Sequence, residues 1–124
     1  MKTKKIFFLN LILICFLFPF SNIQAQETMP KWIVEMGTKR AENMAKDLGL
    51  TPEQQKFIAN EMAIRYHNNS QMAKDLTTLE EKKAVYQSNN EVYFKNIAAF
   101  FPKDLVVKIK KWEMDDWKKK QNAK

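Results

Sequence analysis

The stretch "LGLTPEQQKF", residues 48–57, decides how this chain folds. Gly49 stands where a helix ends on a left-handed residue, a conformation that glycine adopts without a Cβ clash. Thr51 then stands as the N-cap of a following helix, with Pro52 at its first position, where a missing N–H costs nothing. Gln54, three residues after Thr51, completes a capping box by reaching back to the Thr51 backbone N–H. Glu53 adds negative charge at the positive end of the helix dipole. These signals agree on a helix–helix corner.

Working outward, the first helix reads as about Lys31 to Leu48, with Ile33, Met36, Met44 and Leu48 at helical spacing. A second carries Phe57, Ile58, Met62, Tyr66, Met72 and Leu76. A further start at Thr78, with Glu81 three residues on, opens a helix from Leu79 to Phe101 that bears Val85, Tyr86, Val92, Tyr93 and Ile97. Within it, Ser88 and Glu91 form a weaker start signal that predicts a kink. The last helix begins at Pro102 and carries Leu105, Val106, Ile109, Trp112 and Trp117, followed by a frayed tail, "KKKQNAK". No stretch alternates strictly, so no strand is predicted. The fold class is all-α, with about four amphipathic helices in a thin, hairpin-like cradle.

The amino end has a different character. Lys2, Lys4 and Lys5 precede an apolar run, Ile6 to Phe20, and "SNIQAQE" follows with Ala25 as a small residue at a cut site. This is the pattern of a cleavable signal peptide over residues 1–25. The run is short for a spanning helix, which needs about 20 apolar residues, so no stable membrane insertion is expected once the signal is removed. The remaining residues, 26–124, form a single helical domain. Removing three lysines from the 21 basic residues leaves 18 against 14 acidic ones, a net charge of +4. The basic residues are interspersed with acids, which together with export argues against nucleic acid as a partner. Cys15, the only cysteine, lies in the signal segment, so the exported domain forms no disulfide. A small domain without disulfides depends on packing or oligomerisation, and a homodimer is expected.

Two stretches, "GLTPEQQKFI" (49–58) and "AFFPKDLVVK" (99–108), place a proline at the same point fifty residues apart. The second has Phe101 and Asp104 where the first has Thr51 and Gln54. Leu50, Thr51 and Gln54 match the form L-T-x-x-Q, and on this motif, the export signal, the size and the helical texture, the chain resembles the Spy/CpxP group of bacterial envelope proteins. The resemblance implies a small periplasmic protein that dimerises into a curved cradle and holds unfolded or partly folded envelope proteins without ATP. It implies a structural role for Leu50, Thr51 and Gln54.

The residues themselves argue against catalysis. Without the signal segment the chain has one histidine, no cysteine and only Ser70 and Ser88 as serines; neither serine lies in a nucleophile elbow. No glycine-rich phosphate loop is present, and no cofactor is expected. His67, in the polar run "RYHNNSQ", reads as a solvated surface residue, because a metal site needs several ligands. Client contact is expected on the second helix at Phe57, Met62, Arg65, Tyr66 and Met72, where adaptable apolar side chains adjoin cations. The competing expectation is that these residues face the domain's own core. Function then reads as an ATP-independent chaperone-like or envelope-stress protein. The alternatives are an accessory subunit for one specific envelope partner, or a small metal-binding protein using methionines and His67.

Overall fold

The computed structural model describes residues 29–123; the expected signal peptide lies outside them. Four helices follow in order: α1 (Lys31–Leu48), α2 (Pro52–Ala73), α3 (Leu79–Phe100) and α4 (Lys103–Asn122). No strand occurs among the described residues. The all-α class is therefore as expected.

The first corner is built as its residues dictate. Gly49 takes a φ of +68°. The Leu50 N–H donates back to the Ala45 carbonyl at 3.1 Å, closing the end of α1. Thr51 Oγ1 accepts from the Gln54 N–H at 3.2 Å, and Gln54 Oε1 accepts from the Thr51 N–H at 2.9 Å. Both halves of the capping box are present. At the start of α3, Thr78 Oγ1 accepts from the Glu81 N–H at 3.2 Å. The kink expected at Ser88 does not interrupt α3, which runs unbroken to Phe100. The tail expected to fray stays helical through Asn122.

The third corner has different chemistry. Pro102 precedes α4 with no side-chain cap, and the Phe101 N–H donates to the Ile97 carbonyl at 2.9 Å. Aromatic rings supply what the cap does not. Phe57 stacks on Phe100 at 4.0 Å between centroids, and Phe101 meets Phe57 edge-on at 5.7 Å. Such pairs contribute about 0.5–1.5 kcal/mol beyond their area burial.

The described residues from Lys31 onward make one compact unit. All four helices contribute to its core, through Met44 from α1, Ile58 and Met62 from α2, Tyr93 and Ile97 from α3, and Val106 and Ile109 from α4. Helix α1 neighbours α2 and α4, and α3 neighbours the same two. Helix α4 thus packs against α1 as well as against α3. The reason is the shared core, since Tyr93, Ile97 and Ile109 need cover from every side.

Helices α1 and α2 approach very closely. Gly37 is buried, and a Cβ there would lie 2.7 Å from the Ala59 carbonyl oxygen and 3.1 Å from the Ala63 nitrogen. Helices α2 and α3 are instead bridged by polar side chains. Asn96 donates to Glu61 at 3.0 Å, Arg65 to Asn90 at 3.3 Å, and Asn89 to Asn69 at 2.8 Å.

Candidate functional site

A charged network sits where the helices converge. Glu113 of α4 receives Arg65 of α2 at 3.2 Å and Arg40 of α1 at 3.4 Å on one carboxylate oxygen. Its other oxygen accepts from the Tyr93 hydroxyl of α3 at 3.2 Å. One carboxylate therefore ties all four helices together. Arg65 is 6% exposed, and its guanidinium lies 3.9 Å from the centroid of the Tyr93 ring. A buried cation requires such partners, because its desolvation is otherwise uncompensated.

Arg40 extends the network by donating to the Tyr66 hydroxyl at 2.8 Å and pairing with Asp116 at 3.1 Å. Burial acts to lower the Arg40 pKa, but Glu113, Tyr66 and Asp116 outweigh it and hold the guanidinium above its ordinary value. Burial, and then the adjacent Glu113 carboxylate, push the Tyr93 phenol well above its ordinary value. Trp112 fixes α4 to α1 from outside the network. Its indole N–H donates to Asp47 at 2.7 Å, and Arg40 lies 5.5 Å from its ring centroid.

Above this network opens a cleft of about 700 Å³, walled by α2, α3 and α4. Helix α3 lines it with Tyr86, Asn90 and Phe94, and α4 with Lys110, Met114 and Lys118. Each set follows an i, i+4, i+8 spacing, which stacks side chains along one helix face. The Lys110 ammonium lies 5.8 Å from the Phe94 ring centroid. Trp117 lines the cleft beside Lys118. Tyr86, Met114 and Trp117 remain 41%, 58% and 59% exposed. Among the described residues, neither Lys110 nor Lys118 has an ion-pair partner.

The residues expected to hold clients are divided between different environments. Met62 is fully buried in the core. Phe57 is half-buried and engaged with Phe100 and Phe101. Met72 is exposed near the end of α2 and does not line the cleft. Only Arg65 and Tyr66 reach the cleft, at its floor. The five thus do not form one surface, because α2 is covered by α1 on one side and α3 on another. Leu50 is half-buried against the core, while Thr51 and Gln54 make the cap described above.

His67 differs from its solvated expectation, being half-buried with its Nδ1 shielded from solvent. Among the described residues, no group of three His, Cys, Asp or Glu side chains is placed to hold a metal ion. No described helix is long and apolar enough to cross a membrane. The cleft residues Tyr86, Phe94, Lys110, Met114 and Lys118 were not singled out as a site by sequence reasoning. Their signal is the four-residue spacing on two successive helices.

Compared with protein-family models, curated proteins and solved structures, the chain matches none.

Proposed function

We propose that this is an exported, ATP-independent chaperone-like or envelope-stress protein of the Spy/CpxP kind, acting as a homodimer on unfolded or partly folded clients. The role is binding rather than catalysis. One observation carries the reading: Tyr86, Met114 and Trp117 stand exposed in a single cleft whose rim bears Lys110 and Lys118. Apolar side chains left open to water gain from covering a client's apolar surface. Methionine and aromatic rings accommodate varied sequences, and the lysines speed encounter with acidic segments. The L-T-x-x-Q motif at Leu50–Gln54 supports the kinship, and in this fold it serves as a helix cap.

Light scattering of a denatured client, with and without the protein, tests this reading. Aggregation is expected to be suppressed, and a Tyr86→Ser, Trp117→Ser double variant is expected to lose the protection while melting like the parent. A protein that protects no arbitrary client is a dedicated subunit or something else. Protection that survives in the double variant moves the binding surface away from the cleft.

A further inference from the structure

We propose that the cleft between α2, α3 and α4 is a binding site for a small anionic amphiphile, a carboxylate carrying an apolar tail of medium length. The proposal goes beyond client holding and does not depend on it.

Three features of the cleft lead there. The first is charge. Of the residues that line it, Glu113 alone is acidic, and both its oxygens are engaged by Arg40, Arg65 and Tyr93. Lys110 and Lys118 have no carboxylate partner among the described residues, so the rim presents uncompensated positive charge. An ammonium beside an apolar wall attracts an anion more strongly than it does in open water, because the wall lowers the local dielectric.

The second feature is the apolar path between those charges. Lys110 and Lys118 are separated along α4 by roughly 12 Å, eight residues at 1.5 Å each. Met114 lies midway on the same face, and Tyr86 and Phe94 line the cleft from α3. An anion held at one lysine directs an apolar tail past Met114 towards the other, between two walls of aromatic and thioether surface. Methionine adapts to the shape of such a tail, and the aromatic walls are stiff.

The third is size and the nature of the walls. The cleft, at about 700 Å³, lies within the range of roughly 300–1,000 Å³ typical of small-molecule sites. All three walls are helices, whose backbone groups are bonded internally. They present no strand edge for pairing with an extended peptide, so recognition falls to side chains alone, apolar in the middle and cationic at the ends. A short amphiphile meets one of the cationic ends with its head group and the apolar middle with its tail. A bound amphiphile would also cover Tyr86, Met114 and Trp117, the residues on which client contact depends.

Titration calorimetry of the described helical protein with laurate below its micelle concentration tests the proposal, with dodecyltrimethylammonium as a tail-matched cation. Laurate is expected to bind saturably at one site, and the cationic analogue at least about tenfold more weakly. A Lys110→Gln, Lys118→Gln double variant is expected to lose about tenfold or more in laurate affinity while keeping the parental melting temperature. Equal binding of the two head groups overturns the proposal, as does parental affinity in the double variant or the absence of laurate binding. Client protection by the same preparations without laurate is read separately. A protein that protects clients yet ignores laurate overturns this proposal alone, and one that binds laurate but protects nothing overturns only the chaperone reading.

Discussion

Helices α1 and α2 meet through some of the smallest side chains available, and helices α3 and α4 diverge around some of the largest. At the first pairing Gly37 lies against Ala59 and Ala63, with no room for a Cβ. At the second, Tyr86, Phe94, Met114 and Trp117 stand between the two helices and leave a cleft. The difference shows how one chain makes a closely packed half and an open half from the same secondary structure. Small residues bring backbones together and exclude any guest. Bulky side chains line the gap between them, while a partly buried carboxylate, Glu113, helps secure α4 to the other three helices.

Removing that carboxylate is the severest way to break the contrast. Glu113→Ala leaves Arg65 buried without its anion, and loss of one partner of a buried pair costs about 3–5 kcal/mol. Chemical denaturation is expected to show a loss of that size. An unchanged midpoint would mean that α4 is held by its apolar contacts and by the Trp112 and Asp116 bonds without Glu113. The tight pairing is broken by Gly37→Leu, which forces side-chain atoms against the Ala59 carbonyl. Overpacking of this kind costs about 1–3 kcal/mol or more, and a thermal melt is expected to fall accordingly. A parental melt would show that α1 and α2 separate freely.

The corner joining the closely packed half offers a milder test. Thr51→Ala is expected to cost about 0.5–2 kcal/mol, and Gln54→Ala less, since only the return hydrogen bond is lost. Overlapping melts for both variants would show that the close helix pairing, and not the cap, holds the corner. The smallest effect concerns Tyr93. Its folded pKa is raised above the ordinary value of 10.0, so its contribution is complete below pH 10 and is lost as pH rises above it. Between pH 10 and 11 the parent should lose about 1 kcal/mol more than Tyr93→Phe, measured by denaturation at both pH values.

The parts of the molecule that were legible in the sequence are the parts governed by neighbours along the chain. Gly49, Thr51, Pro52 and Gln54 act within a few residues of one another, so their spacing alone specified the corner. Helix limits at Lys31, Leu48 and Leu79 followed for the same reason. The environment of α2 was not legible. Ile58 and Met62 face the core, but Arg65 is buried too, and its carboxylate partner lies 48 residues further along the chain. Sequence pattern marks a charged residue as solvated and carries no sign that a distant one will neutralise it. The cleft was hidden by the opposite ambiguity. Tyr86 and Trp117 have the spacing of core residues, and only the separation of α3 and α4 leaves them in solvent.

The position of Glu113 in the order of synthesis has a consequence for how the chain matures. Arg40 and Arg65 emerge on the first two helices, whereas their shared counterion emerges on the last. Until α4 is available, Arg65 lacks its carboxylate and keeps Asn90 and the Tyr93 ring as partners. A chain lacking α4 is therefore expected to close its core around Arg65 less firmly than the full-length protein does. A chain truncated after Phe101 is expected to exchange its α1–α3 amide hydrogens far faster than the full-length protein. Strong protection in the truncated chain would show that maturation does not wait for the final helix.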